Sequence, residues 1–306
     1  MNTEKAKEII ARLPQGRTIF RYFKDRYAPA LLSYIVGDGM TPSQIKKTPM
    51  AKLLNRPVVK NLAAGLGGGP LTPMALESIR PAQPESYLLT LGVWGDHKAD
   101  RWDQEWYQTS RPAANLVLQL NFSAKHDRPY EKLLKPDEYH FFERYGHPIN
   151  KDGKHTLAWA RIDIDLESGQ ALIEEIQNDW IRDALRNWRE GWHKSREDPR
   201  AMARYLRDVL NPHIRIWDEA ILSAAIWFLR TELGVRTIYY HTFDSGARLK
   251  QITKPRPPRS LYTKLPSRFC FRETCVPPSF LIDMLEAERL KMRSQFVMPR
   301  FFILML

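Results

Sequence analysis

The stretch Leu157–Asp179 constrains the fold more than any other part of the chain. Ala158, Ala160, Ile162 and Ile164 alternate with Trp159, Arg161, Asp163 and Asp165. Successive side chains of a strand point to opposite faces, so this spacing predicts a strand with one apolar and one polar face. Glu167-Ser168-Gly169-Gln170 reads as a turn, and Ala171–Asp179 (ALIEEIQND) returns as a second strand. Together they predict an antiparallel hairpin. On the returning strand Glu175, Gln177 and Asp179 point one way, and Glu174 and Asn178 the other.

Two earlier segments also read as strands, Tyr87–Trp94 (YLLTLGVW) and Asn115–Phe122 (NLVLQLNF). The Trp- and Gln-rich stretch between them, Trp102–Trp106 and on to Arg111, reads as a binding loop. Asp127–Asn150 reads as an irregular, proline-bearing connection. After the hairpin, Arg182, Arg186 and Arg189 share a helix face. Asp198-Pro199 caps a second helix on which Arg200, Arg204 and Arg207 share a face. These stripes read as solvated faces or as anion-binding rows, since planar guanidinium groups fork onto phosphate oxygens. Trp217–Leu233 is apolar nearly all round, the mark of a buried helix, and Gly234 closes it. Val235–Thr242 is a strand, Ser245–Ile252 a short helix, and Ser260–Phe271 a turn leading into a last strand.

The first 65 residues read as helical. Ala6, Ile9, Ile10 and Leu13 make one apolar face. Thr41-Pro42-Ser43-Gln44 has the form of a capping box, and Val58, Val59, Leu62 and Ala63 form a helix stopping at Gly65. Short basic helices in series are either a plain cap or a DNA-binding helix-turn-helix. Gly65–Pro70 lacks the Gly-Lys-Ser/Thr ending of a phosphate loop and reads as a linker. The domain boundary is placed between Gly65 and Pro84, giving a helical cap over residues 1–70 and a main domain over 85–306. The fold class is α+β: a mostly antiparallel sheet flanked by helices, with a small helical N-terminal region.

Composition narrows the partners. Lys and Arg number 47 against 35 Asp and Glu, a net charge of +12. That excess favours an anionic ligand, with nucleic acid as one class. Cys270 and Cys275 lie in no metal-ligand spacing, and no metal site is predicted. The residues after Met1 lack a signal peptide's apolar core, and no apolar run is long enough for a bilayer. The expectation is a cytoplasmic protein with no membrane partner. The apolar tail Phe296–Leu306 reads as a docked strand or partner contact.

The order of elements from Leu157 resembles the Gcn5-related N-acetyltransferase fold, from its third strand to its end. The resemblance implies Ala171–Asp179 as the fourth strand, Trp217–Leu233 as the helix, and Val235–Thr242 as the fifth strand. Glu175-Ile176-Gln177-Asn178-Asp179-Trp180 and Leu261-Tyr262-Thr263-Lys264-Leu265-Pro266 are similar to paired motifs in segments of large phage polyvalent proteins. Together the two resemblances cover a little over a third of the chain. The acetyltransferase resemblance implies an acyl-coenzyme A donor such as acetyl-coenzyme A and an amine acceptor. Glu174, Glu175 or Asp179 would take the amine's proton, and Tyr262 would return one to the thiolate. The family's glycine-rich phosphate loop is absent, and helices bearing Arg182 and Arg186 stand in its place beside Gln177.

Two other readings stay open. Asp163 or Asp165 with Glu175-x-Gln177 resembles the PD-(D/E)xK nucleases, with Gln in place of Lys, which hold Mg²⁺ between carboxylates. A non-catalytic module binding nucleic acid or protein is the third. His241 ends a strand, Arg248 and Lys250 follow Ser245-Gly246 as possible anion contacts, and His126-Asp127 is a bare pair.

Overall fold

A computed structural model describes residues 1–12, 18–81, 83–95, 108–136, 142–191, 198, 200–252 and 257–306. The expected binding loop at Trp102–Trp106, Leu13 and Pro199 lie outside these residues.

Eight strands form one sheet: β1 Thr18–Tyr22, β2 Glu85–Trp94, β3 Asn115–Asn121, β4 Thr156–Asp165, β5 Gln170–Gln177, β6 Thr237–His241, β7 Arg272–Thr274 and β8 Phe301–Met305. Their spatial order is β1-β2-β3-β4-β5-β6-β8-β7. All neighbours are antiparallel except β5 and β6. The protein is α+β, as its sequence predicts. The hairpin β4–β5 sits at the centre, and the apolar tail docks as β8 between β6 and β7.

Three assignments change. Residues 1–65 are not wholly helical, because β1 joins the edge of the sheet against β2. Phe20 and Tyr22 turn inward while Ile19 stays exposed, so its five residues follow a strand period. Asp127–Asn150 is not all irregular, since a helix runs from Ala124 to Leu134 with Pro129 inside it. The strand after Phe271 is a three-residue edge piece and not the last one.

The helices that matter below are α1 Thr3–Arg12, α2 Tyr27–Ser33, α3 Pro42–Ile45, α4 Pro57–Gly65, α5 Pro73–Glu77, α6 Ala124–Leu134, α7 Asp179–Glu190, α8 Trp217–Trp227, α9 Phe243–Leu249 and α10 Ile282–Met292. Thr41 and Gln44 form the expected capping box on α3. α8 continues as a π-helical turn, Phe228–Glu232, and Gly234 follows at φ +69°. No described helix is long and apolar enough to cross a membrane.

The sheet has two unlike faces. Leu116, Leu118, Leu120, Ala158, Ala160 and Ile162 pack against α8, whose Ala220, Ala224 and Ala225 are fully buried. On the other face apolar residues form only small clusters. Val117, Ile149 and Trp159 make one, and Leu172, Tyr239 and Phe301 with Leu281 and Leu285 make another. Polar side chains lie between these clusters.

Two irregularities shape that polar face. Arg161 pairs with Glu175 while Ile162 pairs with Ile173, so Glu174 is an extra residue on β5. Such a β-bulge breaks the period of two. β5 and β6 pair from Gln170/Thr237 to Ile173/Tyr240 and no further. The two parallel strands therefore part at the bulge, while β5 runs on to Gln177.

Candidate functional site

Where β5 and β6 part, buried ionisable groups fill the wedge. Glu174 is fully buried. Its carboxylate accepts from the Ser110 amide at 3.0 Å and from Ser110 Oγ at 2.7 Å, and His241 Nε2 lies at 3.0 Å. His241 comes from the end of β6, and its Nδ1 lies 3.1 Å from Ser245 Oγ in the first turn of α9. Glu175 accepts from Arg161. Lys250, just past α9, sits 3.5 Å from Glu175 and donates to the Glu174 carbonyl at 2.9 Å. Arg161 also donates to the Gln108 carbonyl at 3.2 Å, with its guanidinium 5.5 Å from the Trp94 ring.

The alternation rule allows only one of Glu174 and Glu175 to face a site. At the bulge both still adjoin Lys250, Glu174 through its backbone carbonyl and Glu175 through its carboxylate. Among the described residues two carboxylates face two cations, and pairing of this kind is what permits charge at this depth. Burial pushes both carboxyls up, but their partners prevail. Hydrogen bonding from His241 and the charge of Lys250 bring Glu174 down to about 2. Lys250 and Arg161 hold Glu175 low. Burial lowers both His241 and Lys250 against the pull of these carboxylates. We assign Glu174 as the anion and His241 as neutral with its proton on Nε2: Ser110 Oγ gives its one proton to Glu174, so the Nε2–H points to the two acceptors Ser110 Oγ and Glu174, at 2.8 and 3.0 Å.

One step along β5 lies a second, more open group. Gln177 pairs with Trp159 as Glu175 pairs with Arg161, so both pairs share a face about 7 Å apart. Asp179, the first residue of α7, lies 2.7 Å from His147 Nδ1 and accepts from Gln177 Nε2 at 2.7 Å and Trp159 Nε1 at 3.3 Å. Arg182 reaches it from the next turn. Burial raises the Asp179 carboxyl, yet the hydrogen bond and charge of His147, then Arg182, bring it below its ordinary value. His147 is 32% exposed, so this acid-base couple meets solvent. Arg144 donates to Asp183 through two nitrogens, at 2.7 and 2.8 Å, and Arg186 lies 3.3 Å from the same carboxylate.

The expected residues thus fall into two groups. Glu175 lies in the wedge, and Gln177, Asp179 and Arg182 lie on its rim with Arg186 behind them. Tyr262 is buried, 5.7 Å ring to ring from Tyr240 and 6.1 Å from Phe243. Burial and then the Glu175 charge raise its hydroxyl pKa, so it stays protonated. Lys250 is an internal partner and not the surface anion contact its sequence position suggests. Arg248 pairs with Glu288 at 2.7 Å. Asp163 is held by Arg111 at 2.6 and 3.1 Å, and Asp165 accepts from Ser168. Among the described residues no three metal-ligating side chains converge. His126 is stacked 3.4 Å from Phe122 in an aromatic cluster. Arg144 and His147 carry no sequence signal of their own, since their partners Asp183 and Asp179 lie 39 and 32 positions away; Ser110 falls in the stretch read as a binding loop, but its partners Glu174 and His241 lie 64 and 131 positions away.

No family model, no curated protein and no solved structure matches this chain.

Proposed function

We propose that the polar face at the carboxyl ends of β5 and β6 transfers an acyl group from a coenzyme A-type thioester to an amine. The observation that carries this reading is the parting of the two parallel strands at the Glu174 bulge. A crevice outside the carboxyl ends of parallel strands is where sheets of this kind take ligands. The order β4, turn, β5, helices, α8, β6, α9, Tyr262 turn is also the order on which the acetyltransferase resemblance rests.

The amine must lose a proton as its nitrogen attacks the thioester carbonyl and the carbon–sulfur bond breaks. Glu174 and Glu175 are ion-paired and held low, so they are poor proton acceptors and instead position Lys250 and Arg161. His147 is the better base: it is half-buried, and Asp179 fixes its Nδ1 so that Nε2 can accept. Burial holds the Tyr262 proton too tightly for it to serve a thiolate, and Tyr262 packs with Tyr240 in the core beside α8, so the departing sulfur takes back from His147 the proton that the amine gave up. Neither nearby helix start offers an open phosphate cradle. Asn178 caps α7 and Asp179 sits in its first turn, while Asp218 and Glu219 occupy the start of α8. The phosphates would therefore rest on the half-exposed guanidinium groups of Arg182 and Arg186.

Calorimetric titration with acetyl-coenzyme A, without and then with Mg²⁺, tests the reading. Micromolar binding without metal, lost in an Arg182→Ala, Arg186→Ala variant, is the expected result. His147→Asn should lower kcat/KM about a hundredfold or more. Absence of binding at millimolar cofactor would overturn the proposal.

A further inference from the structure

Five hydrogen bonds run in one direction across the polar face, and both ends of the chain they form lie on the segment that carries His147. The Asn150 amide donates to Thr156 Oγ1 at 2.9 Å, and Thr156 Oγ1 to Asn121 Oδ1 at 2.8 Å. Asn121 Nδ2 donates to Thr90 Oγ1 at 2.7 Å, Thr90 Oγ1 to Gln119 Oε1 at 2.6 Å, and Gln119 Nε2 to the Pro148 carbonyl at 3.0 Å. The path goes from β4 to β3 to β2, back to β3, and out to the residue after His147. A bulge in β4 makes it possible. Asn121 pairs with Thr156 but Leu120 with Ala158, so Leu157 is extra and Thr156 comes to lie opposite Asn121.

The direction of the chain is fixed by its carbonyls. A backbone carbonyl only accepts, so the Gln119 amide must turn its nitrogen to Pro148 and its oxygen to Thr90. Asn121 likewise gives one Nδ2 proton to the Leu88 carbonyl at 3.1 Å and the other to Thr90. Asn150 Nδ2 also donates to Thr90, at 3.2 Å. With two donors on its lone pairs, the Thr90 hydroxyl has its one proton for Gln119 Oε1. Gln119, Asn121 and Thr156 are buried, and bonds in series there strengthen one another. What they hold is a tight turn. The His147 N–H donates to the Arg144 carbonyl and the Ile149 N–H to the His147 carbonyl, both at 2.8 Å, and Ile149 packs on Val117 and Trp159. Gln119 thus grips the backbone of the turn at Pro148, while Asp179 grips the ring at Nδ1, 2.7 Å away.

We propose that Gln119 is a positioning residue for His147: it holds the Pro148 carbonyl so that the imidazole stays on Asp179, with its proton on Nδ1 and Nε2 left to accept. The role of His147 as base comes from the acyl-transfer reading, on which this inference rests. A group that takes up a proton in a reaction needs its own placement locked by the residues behind it.

The test reads the ring nitrogens of His147 by long-range proton–nitrogen correlation in the full chain at pH 8.5, without substrate, with His147→Asn assigning the signal. Wild type should show Nδ1 protonated and Nε2 bare, since the partner of one ring nitrogen sets the tautomer. Gln119→Leu should turn this into a mixture of both tautomers. It should also lower kcat about tenfold and change KM for acetyl-coenzyme A less than about twofold. Leu120→Ala empties core space on the other face of the same strand, and should leave the tautomer as it is. Thr90→Val removes the hydroxyl that orients the Gln119 amide and serves if Gln119→Leu does not fold. Thermal unfolding of each variant confirms that it is folded. Because the tautomer is read on the resting protein, it decides the positioning role whether or not acetyl-coenzyme A binds. Absence of binding with the expected tautomers overturns the acyl-transfer reading alone. An unchanged tautomer in folded Gln119→Leu or Thr90→Val, an equal change in Leu120→Ala, or a wild-type ring with no fixed tautomer overturns the proposal.

Discussion

Replacing Glu175 with Ala should expose the energetics of the wedge. The change leaves Arg161 and Lys250, 2% and 3% exposed, with one fewer carboxylate beside them. Removing one member of such a pair typically costs about 3–5 kcal/mol. The structure also sets a ceiling. Lys250 can escape by losing its proton, and burial already lowers its pKa below 10.5. Giving up that proton at pH 7 costs about 1.4 kcal/mol for each pH unit below 10.5, or ~5 kcal/mol in all. The sign follows from proton linkage. In the variant the unfolded chain binds the Lys250 proton and the folded chain does not, so stability rises with pH. Urea unfolding at pH 7 and pH 9 should show the gap between variant and wild type narrowing by roughly 1–3 kcal/mol. Adding Lys250→Met should recover much of the loss and remove its pH dependence, with non-additive energies because the two sites touch. A cost under about 1 kcal/mol at pH 7, or a gap that widens at pH 9, would refute the argument that these charges hold each other.

The neighbouring carboxylate gives the opposite pH window. Glu174 is brought from 4.5 to about 2 against burial, chiefly by His241 and Lys250. A depressed pKa contributes stability above pH 4.5 that is lost as pH falls toward 2, about 3 kcal/mol over the window. Glu174→Gln should be less stable than wild type at pH 7 and flatter between pH 5 and 3, as read by acid-dependent urea midpoints. The cysteines should separate by rate: Cys275 is exposed, while Cys270 is buried with its thiol pushed up to about 11. A disulfide reagent at pH 7.5 should titrate one thiol fast and the second only on unfolding, and Cys275→Ser should abolish the fast phase.

The hairpin and the helix over it were legible because they follow single, sustained periods. β4 alternates for ten residues, and α8 is apolar on every side, as a helix covered by both sheet and neighbours must be. β1 was not legible, because five residues (TIFRY) with one exposed Ile give a short pattern beside strong helical ones. The helix at Ala124–Leu134 was hidden by Pro129. The bulge was hidden for a sharper reason. Strand spacing names which residues share a face only if no residue is extra, and Glu174-Glu175 offers no sign of which carboxylate is the insertion. Pairings across long separations were equally closed to sequence reading. Lys250 meets residues 75 positions away, and His147 meets Asp179 only because the 142–150 segment returns over the sheet.

Those long-range pairings explain why one face of this sheet is so unlike the other. A bulge at Glu174 tilts β5 away from β6, and the opening cannot be closed by the backbone hydrogen bonds that a parallel pair would supply. An apolar filling of similar volume would be at least as stable as two ion pairs, so stability alone does not require this one. What the ionic filling adds is connection. Ser110, the Lys250 end of α9, the tip of β6 and Arg161 of β4 are all tied to two adjacent residues of one strand. The half-exposed His147–Asp179 couple begins two residues further on, at the exit of that strand. The buried group therefore fixes the elements around the only described acid-base couple on this rim that is open to solvent, which is why the catalytic argument rests on His147 and the stability argument on Glu175.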